Sequence, residues 1–569
     1  MSWWLTDGSR ARAEQAALAQ LLERAEWLSG IGWRLGDGLQ LIVDFDVKHN
    51  GETFNLFMAY PSTFPDTPPM VLPRDGRRLS WHQYGAGGEL CLEFRPDNWD
   101  SAITGAMMAE SAYRLLSSER PEGSDGGVVR SAHQTSIGRD ARGEHMRFVL
   151  DTGAIEVLAG LPVDVPVPIA AWDRVEQPAW VASLVSIGDE GSLWSQSGPQ
   201  PSRSLTAKGF AFRTKREIDR FRANPGLFAE LLSVEFPELA EQLSENPFDG
   251  FVLLGDANRW ISLNLYPHEG KQTVFGYKIL IAPDASGRLP VGHADLAQKH
   301  VAIVGCGSVG SKIATTLVRS GVRKFTLVDD DIFFPANLVR NDLDARAIGQ
   351  HKVDSLTARL KDIGAAAEIS TRRVALGQQE SAGTTESVME ELAQADLLID
   401  ATADPRAFNL VAAVARRQRK PMVWCEVFAG GIGGVVARAR PELEPIPTIA
   451  RSQIRAWCDG HGVPWAASAQ ADYGVQWEQG PPLIADDADV SVIAGHASRL
   501  ALDILTREQS IFPSSAYAIG LAAEWIFQAP FDTWPIDLRP EGKWGEAQEG
   551  ASEEYLKELL ASLFPEVAA

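Results

Sequence analysis

The sequence predicts a multidomain protein of the α/β and α+β classes, in three parts: residues 1–147, 148–292 and 293–569. Three observations carry this expectation. The chain has 569 residues, room for three or four domains at about 150 residues each. Near the amino terminus, three strand-like runs are separated by short turn sequences and flanked by helical segments. From residue 299 onward, apolar strand-like runs alternate with helical segments, the pattern of a doubly wound parallel sheet.

Composition narrows the function classes. Apolar residues make up 45% and charged residues 22%, an ordinary globular profile. Lys plus Arg is 53 against 75 Asp plus Glu, a formal charge of −22. A general nucleic-acid binder needs phosphate-neutralising cations that this chain is short of. No apolar run reaches the roughly 18 residues of a membrane span, and the start, MSWWLTDGSR, lacks the pattern of a secretory leader. The four cysteines, Cys91, Cys306, Cys425 and Cys458, form no CxxC pair. That argues against a zinc ribbon and a disulfide framework, and it suits a reducing cytoplasm.

In the first part, SRARAEQAALAQLLERAEWL (residues 9–28) carries helical spacing behind Ser9 as a possible cap. GWRL, LQLIVDFDV and TFNLFMAY read as strands joined by the turn sequences GDG and KHNGE. The proline-dense YPSTFPDTPPMVLP bars a helix, and ITGAMMAESAYRLLSS reads as a helix. The middle part reads as a mixed α/β connecting domain. It holds a helical piece, KREIDRFRANPGLFAELL, and the strand-like runs FDGFVLLG, RWISLNLYP and QTVFGYKILIAP. No chemistry is evident in it.

In the third part, KHVAIVGCGSVGSKIATTLVRSG reads strand, glycine turn, helix. Gly305, Gly307 and Gly310 form GxGxxG directly after the strand, where helix N–H groups can meet phosphate. Asp329 ends the next strand, where a carboxylate can take a ribose hydroxyl. A dinucleotide dehydrogenase shares these features up to this point. The run DDDIFFPANLVRND, followed by GQHKVDSLTARL, separates the two. It resembles the ThiF/MoeB and ubiquitin-activating adenylation family, with D-x-D, then N-L-x-R, then a lysine about a dozen residues on.

That resemblance implies a Rossmann-like ThiF adenylation domain that uses ATP and Mg²⁺. It gives Asp329 to the ribose, with Asp331 in the same acidic pair, and Asn337, Arg340 and Lys352 to the phosphates. Attack of a carboxylate on an α-phosphate builds up negative charge, which fixed cations and a metal stabilise. The family's later Asp, which helps hold magnesium, is Asp404 in DATAD, four residues after Asp400. Asn341 stands where Gln is common, and Arg288 is the candidate for an upstream arginine. Taken singly, Arg340 and Lys352 also fit a solvated helix face.

The cysteines are read one by one. Cys306, inside the glycine loop, and Cys425, in the strand PMVWCEVFA, are expected to be buried and structural. Cys458, in IRAWCDGHG, is expected in a mobile crossover loop, the region where ubiquitin-activating enzymes carry their thioester cysteine. A loop cysteine of no consequence is the plain alternative. A metal at Cys458 and His461 would need more ligands than the sequence supplies.

Cys91 is the strongest single signal. YPSTFPDTPP, then WHQYGAGGELCLEFRPDNW, resembles the ubiquitin-conjugating (UBC) fold: a YP…PP segment, a loop, G-x-x-C-L, and Trp99 eight residues after the cysteine. Pro121 closes the following helix. The resemblance makes residues 1–147 a ubiquitin-conjugating-like domain with Cys91 as its thioester cysteine. The family's His-Pro-Asn is not intact; His82 and Gln83 stand near it, and either Gln83 or a loop N–H is the candidate donor to the oxyanion. The expected acidic residue falls near Glu122 or Asp125. His133 is a candidate general base, or else a structural histidine.

A conjugating-like domain ahead of an activating-like domain looks like the bacterial ubiquitin-transferase-like proteins of CBASS antiviral operons. The resemblance implies adenylation of a protein C-terminus, a thioester on Cys458, transfer to Cys91, and conjugation to an amine of an acceptor protein. The substrate would be a CD-NTase or a ubiquitin-like protein, and the enzyme a homodimer. Three alternatives stay open: a sulfur-carrier or ubiquitin-like protein adenylyltransferase of ThiF/MoeB type, an NAD-dependent oxidoreductase, and a binding module that only docks ubiquitin-like proteins.

Overall fold

A computed structural model describes residues 2–80, 82–84, 88–118, 138, 141, 143–176, 179–196, 204–243, 248–257, 259–282, 288–364, 366–428, 431–462, 485–545 and 552–564. The chain divides into two compact units, residues 1–142 and 143–569.

The first unit is an α+β fold. Helix α1 (Trp3–Thr6) leads into α2 (Gly8–Arg24). The cap of α2 is Asp7, whose side chain accepts from Arg10 N; Ser9 donates to that carboxylate at 2.6 Å instead of capping the helix itself. Strands β1 (Leu28–Leu35), β2 (Leu41–His49), β3 (Glu52–Ala59) and β4 (Met70–Pro73) form an antiparallel meander in that order. Alternation puts Val43, Phe45 and Val47 of β2 in the core. A short hairpin of β5 (Gln83–Tyr84) and β6 (Glu89–Leu90) precedes α3 (Gly105–Ser118). Buried Glu14 joins the layers: it accepts from Tyr60 Oη (2.9 Å) and Gly105 N (2.6 Å) and pairs with Arg10 at 3.0 Å.

The second unit holds two sheets. Its amino-terminal sheet comprises β7 (Met146–Asp151), β8 (Pro166–Glu176), β9 (Ala179–Ile187), β10 (Trp194–Ser195), β11 (Ser204–Arg213), β12 (Gly250–Gly255), β13 (Trp260–His268) and β14 (Lys271–Ala282). Pairing of β8 with both β9 and β11 closes the ring β8-β9-β7-β14-β13-β12-β11. Closure removes the exposed edges of an open sheet. Helix α4 (Thr152–Gly160) follows β7, the predicted helical piece at residues 215–232 is broken into α5 (Asp219–Ala223) and α6 (Gly226–Glu235), and a further break separates α7 (Pro237–Gln242). Proline supplies both breaks, because it cannot continue the preceding hydrogen-bond ladder.

The carboxy-terminal sheet is Rossmann-like. Its strands are β15 (His300–Val304), β16 (Lys324–Val328), β17 (Glu368–Arg372), β18 (Leu397–Asp400), β19 (Met422–Val427), β20 (Gly433–Ala439), β21 (Ala516–Gly520) and β22 (Thr533–Ile536). The order is β17-β16-β15-β18-β19-β20-β21-β22, parallel through β19 and antiparallel beyond. Helices α8 (Ser308–Ser320), α9 (Lys352–Ile363), α10 (Ala382–Leu392), α11 (Pro405–Arg417), α12 (Pro447–Gly460) and α13 (Asp487–Thr506) accompany it, and α14 (Glu553–Leu563) ends the described chain. Strand order reverses between β15 and β18. In open α/β sheets a crevice forms at such a point, beyond the carboxyl ends of the strands. No described helix is long and apolar enough to cross a membrane.

Candidate functional site

Gly305 leaves β15 at the switch point with φ +91°, and a Cβ there would lie 2.9 Å from Ala401 C and Thr402 N. At Gly310 a Cβ would lie 1.8 Å from Gly305 O. Both positions therefore need glycine, one for its left-handed backbone and both for close approach. Gly307 has open space around it and forms the N-cap of α8, which no side chain caps. Backbone N–H groups and a helix N-terminus thus face the crevice, the arrangement that accepts phosphate.

Asp329 sits beneath this loop. Its Oδ2 accepts from Cys306 N (2.7 Å) and its Oδ1 from Asp331 N (2.9 Å). Burial pushes its pKa up, and these two backbone bonds work against that. Each carboxylate oxygen keeps a second lone pair, so a ribose hydroxyl can still bind. Lys352 opens α9 with 7% exposure, and its Nζ is ion-paired to Asp331. A bridge between Ile332 and His351 holds the two segments together.

Asn337 closes the turn Pro335–Val339, with its Oδ1 accepting from Phe334 N at 2.8 Å. That oxygen shapes the loop that presents Arg340, which is half-buried at the end of the turn. Asn341 is buried. It donates from Nδ2 to Cys306 O (3.3 Å) and accepts from Leu343 N (3.0 Å), tying the Arg340 segment to the glycine loop. Arg288 is exposed.

Asp400 ends β18 at 4% exposure. Burial pushes its pKa up to about 6, against hydrogen bonds from Thr402 Oγ1 (2.7 Å) and Thr402 N (3.1 Å). Ala403 takes φ +55°, and this absorbs the extra residue of DATAD. Asp404 consequently caps α11, accepting from Arg406 N. It also accepts from Gln378 Nε2 at 2.8 Å and pairs with Arg406 at 3.1 Å. Burial raises its pKa, but the Arg406 bonds lower it more, so it stays ionised. A cleft of about 570 Å³ opens beside it, lined by Asp330, Gly377, Gln378, Glu380 and Arg406. Gln378 and Arg406 escaped the sequence reading; the Asp-x-Arg spacing at a helix start was the available signal for Arg406. The donors of the glycine loop, the carboxylate of Asp329 and the cation of Lys352 are groups that suit a nucleotide. Among the described residues, no cluster of three or more His, Cys, Asp or Glu is placed to share a metal ion.

Three of the four cysteines are buried. Burial raises the thiols of Cys306 and Cys425 strongly. Cys458 departs from expectation. It is not in a loop but inside α12, at 0% exposure, among Ala450 and Ile454. Burial, with Glu426 and Asp459 nearby, pushes its thiol up to about 12. A neutral, covered thiol is a poor nucleophile. The cause is α12's apolar stripe, which carries Cys458 into the core. His461 lies just beyond the helix, stacked on Trp457 at 4.2 Å.

Cys91 is half-exposed, just after β6. Its N donates to His82 O (2.8 Å), and its Sγ lies 3.0 Å from Tyr84 Oη. Gln83 is engaged at both ends: Oε1 accepts from Leu79 N (2.6 Å) and Ser80 N (3.0 Å), and Nε2 donates to Gly88 O (2.7 Å). It builds the loop before Cys91 and does not serve as the amide donor suggested by sequence. Trp99 packs on Phe64 and donates to Pro65 O at 2.7 Å. Pro121, Glu122, Asp125 and His133 lie outside the described residues.

Residues 288–507 match the model of the ThiF family. Protein y4qC of Sinorhizobium fredii is 24% identical over 433 residues, covering 69% of this chain and 72% of that protein. The ATP-dependent ubiquitin transferase-like protein Cap2 of Escherichia coli is 33% identical over 130 residues, 22% of this chain and 20% of Cap2. The alignment thus spans a fifth of that relative's length. A crystal structure of E. coli MccB with AMPCPP and MccA aligns at 14% identity, with TM-score 0.34, over 45% of this chain and 69% of MccB.

Proposed function

We propose that this chain is an ATP-dependent enzyme that activates a protein C-terminal carboxylate and passes it, through a thioester on Cys91, to an amine. The observation that carries the reading is the crevice at the β15/β18 switch point. There Asp329 accepts from Cys306 N of the glycine loop, α8 starts uncapped just beyond that loop, and Lys352 is ion-paired to Asp331, two residues after Asp329. The array suits phosphoryl chemistry. Backbone donors hold phosphates, Asp329 takes the ribose, and Arg340 and Lys352 oppose charge that builds on the α-phosphate. Bound magnesium would neutralise further charge, with Asp404 among its holders. A hydride-transfer site has no use for these cations.

The carboxylate attacks the α-phosphate and expels pyrophosphate, which gives an acyl-adenylate. A thiol then displaces AMP. Exposure favours Cys91 as that thiol, in a conjugating-like domain. A relay through Cys458 would need the end of α12 to open first. Likeness to an ATP-dependent ubiquitin transferase-like protein supports the activation step, and the order of a conjugating-like ahead of an activating-like domain favours a role in bacterial antiviral defence (CBASS), with a CD-NTase or ubiquitin-like protein as substrate, a homodimeric enzyme and a cytoplasmic setting. A second reading is adenylation without conjugation. It is favoured by 29% identity over 205 residues to the adenylyltransferase and sulfurtransferase UBA4 of Candida glabrata, 36% of this chain and 40% of UBA4.

The test is a trap. Cys91→Ser and Cys458→Ser forms are expressed with the native neighbouring genes, and intact masses are taken with and without mild base. The expected result is a protein-sized, base-labile adduct on the Cys91→Ser chain that disappears when Arg340→Ala is added. No adduct on either form, with ATP bound, overturns transfer to cysteine and leaves adenylation alone. An adduct that needs Cys458 restores the relay.

A further inference from the structure

The surroundings of Cys91 hold a group that the proposed chemistry has not yet used. Hairpin β5–β6 pairs Tyr84 with Glu89 and Gln83 with Leu90, and Cys91 N bonds back to His82 O. This register fixes the Tyr84 ring beside the cysteine, with its hydroxyl 3.0 Å from Sγ. The ring is 40% exposed, so its position follows from the hairpin more than from burial in the core. On the other side, Asn98 closes the loop after Cys91, accepting from Arg95 N (2.7 Å) and donating to Glu93 O (2.8 Å). That loop brings in Arg95, which pairs with Asp97 at 3.0 Å. The pKa of Arg95 is raised first by Asp97 and further by the negative charge that Cys91 and Tyr84 can carry. A hydroxyl therefore stands beside one half-exposed thiol. Gln83, with both amide ends engaged in the loop, is not available as a donor there.

We propose that the Tyr84 hydroxyl is the hydrogen-bond donor for the Cys91 thioester, stabilising the oxyanion and the departing sulfur during transfer. The inference rests on the reading of Cys91 as an acyl-carrying thiol. In the step, the amine lone pair forms a C–N bond to the acyl carbon, and the carbonyl oxygen becomes transiently negative. The C–S bond then breaks and its electron pair returns to Sγ. The amine proton passes through water to that sulfur, which leaves as the thiol. An oxyanion on the acyl carbon lies within a bond or two of Sγ, so a donor already 3.0 Å from the sulfur is in reach of it. Donors fixed before the reaction lower the barrier because they need no reorganisation when charge develops.

The experiment charges Cys91 chemically and so does not depend on ATP. The full chain is incubated with a mercaptoethanesulfonate thioester of N-acetylglycine, desalted, and then mixed with free lysine, and the acyl adduct is followed by intact mass. The Cys91→Ser chain is the control. Tyr84→Phe is expected to discharge about 10- to 100-fold more slowly, on the scale of losing one oxyanion donor, and to charge more slowly too, because attack by Sγ passes through the same kind of oxyanion, while the chain melts as wild type does. Discharge at the wild-type rate overturns the inference, and so does a slowing accompanied by a lowered melting temperature, which is the mark of a merely structural role. Iodoacetamide labelling at one fixed pH is a second readout that needs no acyl group. Tyr84→Phe is expected to slow labelling of Cys91, and an unchanged rate overturns the inference. Failure of the parent reading shows elsewhere, as absence of an adduct in the co-expression trap while the chemically charged chain still responds to Tyr84→Phe.

Discussion

Replacing Asp400 by Asn tests how dry the floor of the nucleotide crevice is. Asp400 is 4% exposed at the end of β18, directly before Ala401, whose backbone crowds Gly305. Burial moves its pKa from 3.8 to about 6. At about 1.36 kcal/mol per pH unit, that gap is worth about 3 kcal/mol. The direction follows from linkage. The folded state holds this proton more tightly than the unfolded chain, so the stability it brings is full below about pH 4. It is lost as pH rises through about 6. Asn is neutral throughout and keeps an acceptor for Thr402 N and Oγ1, now 3.1 and 2.7 Å from the carboxylate. Its added N–H groups shift the level by a constant, so the slope is the quantity to read. Unfolding followed at a series of pH values from 4.5 to 7.5 should show the Asp400→Asn chain gaining on wild type as pH rises, by about 2 kcal/mol across that range. Parallel curves would falsify the claim that Asp400 is held in a desolvated site.

Other substitutions read other parts of the structure. Gly310→Ala puts a Cβ 1.8 Å from Gly305 O, so α8 must move off the loop. The expected outcome is a melting loss equivalent to about 3 kcal/mol or more and no stabilisation by ATP in thermal-shift assays, whereas Gly307→Ala, with open space, keeps its fold; similar melts for the two refute the packing argument. Lys352→Met keeps the buried stem and removes the charge opposite exposed Asp331. Stability should change by less than about 1 kcal/mol while ATP–pyrophosphate exchange falls about 100-fold, and an undiminished exchange rate removes Lys352 from the site. Arg438, at 1% exposure, binds Asp503 (2.9 Å), Glu444 (3.1 Å), Ser510 (2.7 Å) and Phe512 O (3.1 Å). Arg438→Met strands two buried carboxylates, and a melting loss equivalent to about 3–5 kcal/mol is expected; a loss below about 1 kcal/mol would contradict the buried network.

What could be read from sequence was what backbone geometry alone dictates. GxGxxG after an apolar strand was legible because the φ of Gly305 and the 1.8 Å approach at Gly310 exclude other residues. The three strands of the first unit were legible because period-two alternation and turn residues agree there. The ring-closing strands β8 and β9 were not, since their pairings with β11 and β7 depend on partners distant in sequence, and the prolines of β8 argue against a strand locally. That Asp404 caps a helix was not legible, because it follows from Ala403 taking a left-handed turn, and nothing local announces that.

Cys458 shows the opposite case, in which a legible signal was outweighed. The run Asp459-Gly460-His461-Gly462 suggests a loop. Yet Pro447 at the first helical position, followed by Ala450, Ile454 and Cys458 at i+4 spacing, spells an amphipathic helix with the cysteine on its buried stripe. The physical ranking of the two thiols follows from that stripe. Cys458 would have to lose its packing against Ala450 and Ile454 and then ionise from about 12, whereas Cys91 already presents its sulfur to solvent and to the Tyr84 hydroxyl. Brief iodoacetamide treatment of the folded chain should therefore modify one cysteine, Cys91, and mild urea should release the other three together. Labelling of Cys458 at a rate comparable to Cys91 would mean that the end of α12 opens under native conditions. It would return the second thiol to the reaction.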